Sequence, residues 1–129
     1  MSAVSVAPRP LVLAAWVIPI GVFLQAILAG QGWFVDQGLF ALHGGIGHGV
    51  LLVSALVATF TWLVSTSRVV AVLASLVALG LIGQTGLGYA GRRGELAAAS
   101  AAHVPLGVGL LGLSVAVAVL LTVHARTVR

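Results

Sequence analysis

Residues 41–58 read Ala41-Leu42-His43-Gly44-Gly45-Ile46-Gly47-His48-Gly49-Val50-Leu51-Leu52-Val53-Ser54-Ala55-Leu56-Val57-Ala58, and residues 101–118 read Ala101-Ala102-His103-Val104-Pro105-Leu106-Gly107-Val108-Gly109-Leu110-Leu111-Gly112-Leu113-Ser114-Val115-Ala116-Val117-Ala118. Aligned at a shift of 60, the two stretches share eight identities in 18 positions: Ala41/Ala101, His43/His103, Gly47/Gly107, Gly49/Gly109, Leu51/Leu111, Ser54/Ser114, Val57/Val117 and Ala58/Ala118. Roughly two or three would arise by chance in so biased a composition. The informative matches are histidine on histidine and serine on serine, because both residues are scarce here. A weaker match precedes each stretch at a shift of 59, with Gly21 on Gly80, Gln25 on Gln84 and Leu28 on Leu87. Each half therefore reads Gly-x-x-x-Gln-x-x-Leu, a connection, then His-x-x-x-Gly, the pattern of a duplicated hairpin.

The rest of the chain says what kind of hairpin this is. Sixty per cent of the 129 residues are hydrophobic and 6% are charged, with a mean hydropathy of +1.21. A soluble domain carries charge on about a quarter of its residues. The charged positions are Arg9, Asp36, Arg68, Arg92, Arg93, Glu95, Arg126 and Arg129, and they separate four uncharged runs, residues 11–30, 41–63, 69–90 and 98–124. Each run reaches the roughly 20 residues that a hydrocarbon core about 30 Å thick requires. The connections, 31–38, 64–68 and 91–95, are short and rich in turn formers, so consecutive helices must run antiparallel. The expectation is an all-α membrane protein: a single domain over 1–129, a four-helix transmembrane bundle running up-down-up-down, made of two parallel-repeat helical hairpins related by an axis along the membrane normal. The first run has the length of a cleaved signal peptide, but its place in the repeat argues that it stays.

Arginine is retained on the cytoplasmic side of short loops. Arg9, Arg68, Arg126 and Arg129 fall at one end and Arg92 and Arg93 at the other. That distribution predicts a multi-pass protein of the inner (plasma) membrane with both termini cytoplasmic. Trp16 and Trp62 near the inner ends and Trp33 near the outer end fit an interfacial aromatic belt. The net charge of +4 and the pI near 11.7 come from scattered arginines with no lysine and no basic stripe, which excludes nucleic acid as the expected partner. With no cysteine there is no disulfide framework, thiolate metal site or covalent haem attachment.

A histidine inside a membrane span is costly without a partner and marks a functional site by default. His43 and His103 lie within a turn or two of the outer ends of diagonal helices, on opposite walls of one cavity. Neutral imidazoles on two sides suit the axial positions of haem iron. Gly47 and Gly107, one turn further along, leave room for a flat macrocycle on the same helix face. Gln25 and Gln84 reach the depth of an axial imidazole or porphyrin edge, where a second hydrogen-bond partner is needed. Arg92 and Arg93, read as loop residues, sit where haem carboxylates would emerge. The competing reading is that small residues every fourth position simply pack helices closely and that the histidines bond across helices. His48, five residues past His43, points about 140° away from it, and a hydrogen bond to a neighbouring helix is its expected role. His124, beside Arg126, is expected to reach the interface.

The motif Gln84-Thr85-Gly86-Leu87-Gly88, followed by Ala102-His103-Val104-Pro105-Leu106-Gly107, resembles the haem-bearing half of bacterial haem A synthase. Residues 11–125 also resemble a family of small four-helix bacterial membrane proteins without an assigned activity, whose members share a Gln-x-x-Leu-Ala-Gly near the first helix end, here Gln25 to Gly30, and a histidine opening the second, here His43. The first resemblance implies a bundle with a bis-histidine site for non-covalent haem b at His43 and His103. Haem A synthase has eight helices, so a second copy, a homodimer, would be needed to match it in full. Its acidic residue and cysteine pair have no counterpart here, since Asp36 lies in a loop, so the oxygenase chemistry does not carry over. The function expected is a b-type haem protein of the membrane for electron transfer or haem handling, passing electrons to a redox partner or quinone. The alternatives are a cofactor-free accessory or assembly subunit of a larger membrane complex, with Gly21, Gly80, Gly83, Gly47, Gly49, Gly107 and Gly109 as its contact surfaces, and, less favoured, a transporter. No serine, histidine and carboxylate arrangement, paired acids or phosphate loop points to an enzyme.

Overall fold

Pro8, in extended conformation, and Pro10 bracket the first residue of the first helix, where prolines cost nothing because the opening N–H groups have no helical partner. From there the apolar run propagates without interruption. In the computed structural model, which describes residues 7–64, 67–94 and 97–126, four helices form: α1 (Arg9–Phe34), α2 (Leu39–Leu63), α3 (Arg68–Arg92) and α4 (Ala97–Arg126). All four are long and apolar enough to cross a membrane. Each helix packs on its neighbours in sequence, and α4 closes the ring against α1, leaving α1 and α3, and α2 and α4, on the diagonals. The up-down-up-down bundle of two hairpins is thus the observed architecture.

The helices outrun the uncharged runs. Residues 31–34, assigned to a loop from their glycine and glutamine content, continue α1, and Gly91 and Arg92 belong to α3. The true breaks are made by specific turns. The N–H groups of Val35 and Asp36 both donate to the Gln31 carbonyl, and the Gly38 N–H donates to Asp36 Oδ1 at 2.8 Å, reversing the chain in four residues. At the other connection Gly94 takes φ +69°, a left-handed conformation that glycine adopts without cost. Glu95, Arg129 and the Ser65-Thr66 pair of the middle joint lie outside the described residues.

Inside-out burial confirms the solvent. Leu13, Ile20, Leu52, Leu79 and Val104 are each more than 60% exposed, which water would penalise and lipid does not. The core instead holds small and β-branched side chains, and it repeats. Ala15, Ile18 and Val22 of α1 are matched by Ala74, Val77 and Leu81 of α3, and Val50, Ser54, Val57 and Ala58 of α2 by Leu110, Ser114, Val117 and Ala118 of α4, all buried. The two serines can be buried because each hydroxyl bonds a carbonyl of its own helix, Ser54 to Leu51 at 2.7 Å and Ser114 to Leu111 at 2.9 Å. This four-helix chain is a multi-pass membrane protein.

Glycine sets how closely each hairpin closes. A Cβ added at Gly21 would collide with Val50, and one at Gly80 with Leu110, at equivalent points of the two hairpins. Gly32 against the Phe40 ring and Gly91 against Ser100 repeat the pattern near the tight connections. Gly21, Gly80, Gly47 and Gly107 are therefore used inside the bundle, whereas an added Cβ at Gly49, Gly83 or Gly109 meets nothing within 4 Å. The seams between hairpins are equivalent too. Trp16 Nε1 donates to Thr122 Oγ1 across α1 and α4, and Trp62 Nε1 donates to Ser75 Oγ across α2 and α3, both at 3.1 Å. The repeat offsets carry Trp16 onto Ser75 and Trp62 onto Thr122, so the same bond is built twice with donor and acceptor exchanged. Trp33 stacks edge-on against Phe40 at the opposite end.

Gly80→Val should lower the thermal unfolding midpoint in detergent by an amount equivalent to about 1–3 kcal/mol of overpacking, because the side chain enters the space of Leu110. Gly112→Ala, where open space receives the methyl group, should leave the midpoint unchanged. Equal effects from the two would contradict the close approach of α3 and α4.

Candidate cofactor site

His43 lies one turn into α2 and His103 less than two turns into α4, at the end of the bundle that carries the α1–α2 and α3–α4 connections. Both are half-buried. Each is held by the helix before it. His43 Nδ1 donates to the Gln25 carbonyl of α1 at 3.1 Å, and His103 Nδ1 donates to the Gln84 carbonyl of α3 at 3.0 Å. A helical carbonyl has a second lone pair to offer, so neither bond breaks its helix. Because a carbonyl only accepts, the proton of each neutral imidazole sits on Nδ1 and the lone pair on Nε2. Neither Nε2 makes a hydrogen bond to another described residue.

Although α2 and α4 are diagonal and do not pack on each other, the two rings meet across the bundle with centroids 6.3 Å apart and planes inclined at 53°. Two imidazoles that bind one first-row metal ion from opposite sides, each nitrogen at about 2.0–2.1 Å, have ring centres roughly 6 Å apart. The ring spacing is of that size, and the shared tautomer leaves the Nε2 lone pair of each imidazole unused. No group of three or more histidine, cysteine or acidic side chains occurs among the described residues. A bare metal ion is normally given three or four protein ligands, so two imidazoles fit a metal that brings its own equatorial donors, as porphyrin iron does.

The glutamines fasten the histidines twice over in one hairpin. Gln84 accepts from the His103 ring through its carbonyl and donates from Nε2 to the His103 carbonyl at 2.8 Å. The Gln84 side chain lies against Gly107, where an added Cβ would be 3.0 Å from Nε2, and Gln25 lies against Gly47, 3.4 Å from Oε1. The space these glycines leave, expected to face a macrocycle, is taken here by glutamine. The two amides are turned oppositely, and one atom of each, Gln25 Nε2 and Gln84 Oε1, is buried without a partner. An orphan donor and an orphan acceptor beside the histidines leave polar capacity over at this level of the bundle.

Gly88, which closes the motif that carries the resemblance but was given no role of its own, lies against the histidine: a Cβ there would stand 3.1 Å from Cε1 of His103. Its position one turn after Gln84 was the available signal. The first repeat has Ala29 at the matching position. Arg92 is the last residue of α3 rather than part of a loop, and Arg93 follows it as the cap, its N–H donating to the Tyr89 carbonyl. Both are exposed at the histidine end. His48 faces the other way and bonds Tyr89 of α3, while His124 closes back on the Leu120 carbonyl at 2.8 Å. No family model, curated protein or solved structure matches the chain.

In ¹⁵N spectra of the histidine-labelled protein without added metal or haem, His43 and His103 should both show the Nδ1-protonated tautomer. A proton on Nε2 of either would contradict the anchoring by Gln25 and Gln84.

Proposed function

We propose that the chain is a small b-type cytochrome of the plasma membrane, with one non-covalent haem b held between His43 and His103. The observation that carries this reading is the pair of tautomer-matched imidazoles, 6.3 Å apart, that the repeat brings to one level of the bundle. Bound haem would supply one-electron redox chemistry. The Gln25 and Gln84 carbonyls would keep the imidazoles oriented by accepting the Nδ1 protons. With His43 and His103 both holding it, a haem bound here would favour electron transfer over oxygen activation. Gly88 leaves room for the His103 ring, and Gly47 and Gly107 leave room for the glutamine side chains. Arg92 and Arg93 supply cations at the helix end where propionates would emerge. Arginine placement supports cytoplasmic termini and a site near the outer face, where it would meet a redox partner or a lipid-soluble carrier.

One observation favours a second reading, a cofactor-free subunit of a larger complex. Gly49, Gly83 and Gly109 present open small-residue surface on three helices, as close helix docking in lipid requires.

The purified protein, expressed with haem supply, should show a Soret band and a reduced-minus-oxidised spectrum of a low-spin b-type haem. His43→Ala and His103→Ala should each lower the haem content about tenfold or more, since loss of an axial ligand removes several times the 1.4 kcal/mol that a factor of ten represents. A wild-type sample without a Soret band would refute the haem and leave the subunit reading, and a haem spectrum indifferent to His103→Ala would refute the bis-histidine site.

A further inference from the structure

His48 and Tyr89 form a polar pair on the lipid-facing side of the α2–α3 seam. His48 is exposed and Tyr89 is 48% exposed. Histidines in membrane spans almost always turn inward, and this one turns out. His48 Nδ1 donates to the Gly44 carbonyl of its own helix at 2.7 Å, which leaves Nε2 as an acceptor. The Tyr89 hydroxyl meets Nε2 at 3.3 Å, with ring centroids 6.1 Å apart. That is longer than the roughly 2.7–2.8 Å typical of a hydroxyl donor, so the bond is readily exchanged for a better one.

The fold does not require this pair. The repeat offsets carry His48 onto Val108 and Tyr89 onto Gly30, and at that equivalent seam Val108 is 68% exposed and an added Cβ at Gly30 meets nothing. One of two matching seams has therefore been given an acceptor and a phenol that the other lacks. Around the pair the surface is low, because Gly45, Gly49 and Gly86 each have open space above them. Leu52 and Ile82, one to two turns deeper on the same helix faces, are 61% and 56% exposed. Gly88, the residue before Tyr89, is the one against the His103 ring, so the seam lies beside the candidate cofactor site.

We infer that this seam binds the head group of a quinol, with His48 Nε2 accepting the hydrogen bond of a quinol hydroxyl in place of Tyr89. The ligand chemistry follows from the groups present: a flat ring for the glycine floor, a hydroxyl donor for the imidazole, an oxygen acceptor for the freed Tyr89 hydroxyl, and an apolar tail for Leu52 and Ile82. The inference deepens the proposed function by naming the redox partner, and it rests on that reading only for the consequence of binding.

The test is photolabelling of the full chain in phosphatidylcholine nanodiscs with an azidoquinone reduced to its quinol, mapped by peptide mass spectrometry, with the Soret band recorded on the same sample. Label should fall on α2 and α3 around His48 and Tyr89. His48→Val, which installs the residue of the matching seam, should cut labelling about tenfold, the equivalent of losing one good buried hydrogen bond. Tyr89→Phe, which keeps the ring, serves as the second variant and should cut it severalfold. Labelling unchanged in both variants, label elsewhere on the chain, or a seam shielded from label by a second copy would overturn the inference. A Soret band without label overturns the quinol site and spares the haem; specific label without a Soret band does the reverse.

Discussion

An imidazole placed in a membrane span must find a partner for its N–H, and here that partner is a backbone carbonyl one helix away. The bonds from His43 to Gln25 and from His103 to Gln84 decide the tautomer, the ring orientation and the level at which each hairpin presents its histidine. Their strength is not what holds the bundle together. Interhelical hydrogen bonds in lipid average about 0.6 kcal/mol, less than close packing contributes over a whole seam. Helix association is set by Gly21 on Val50 and Gly80 on Leu110, which allow the backbones to approach. The histidine bonds orient what packing has already positioned.

Duplication turns that local constraint into a site. Each hairpin brings one imidazole to this level of the bundle, and an axis along the bundle sets the second opposite the first, even though the helices that bear them are not in contact. Buried side chains and the exchanged tryptophan bonds follow the same axis, so the symmetry runs the length of the molecule. The halves diverge where chemistry is added. Gln84 makes a second bond to His103 that has no counterpart at Gln25, Gly88 replaces Ala29, and His48 with Tyr89 marks one outer seam only.

Much of this was legible in the residues. Uncharged runs of membrane-spanning length predict the four helices, and the 60-residue repeat predicts which of them are equivalent. The helix ends were less so, because Gln31-Gly32-Trp33-Phe34 has the composition of a turn but no group that stops a helix before Asp36. The two histidines and their glutamines stand out because scarce residues recur at matched spacing. The particular atom that accepts from each ring was not legible, since a backbone carbonyl leaves no trace in residue identity. The glycines were ambiguous for a related reason: sequence shows that a side chain is missing but not which neighbour fills the gap, and at Gly47 and Gly107 it is glutamine. Tyr89 was overlooked because its partner, His48, lies on another helix and has no repeat mate.

In the proposed cytochrome two histidines, one from each copy of the hairpin, share one iron. Near-infrared magnetic circular dichroism of the oxidised, haem-loaded protein reads the two axial ligands directly. The account predicts the charge-transfer band of low-spin ferric haem with two imidazoles, replaced by a high-spin spectrum in both His43→Ala and His103→Ala. A band assigned to any other ligand pair, or one that persists when either histidine is removed, would contradict it.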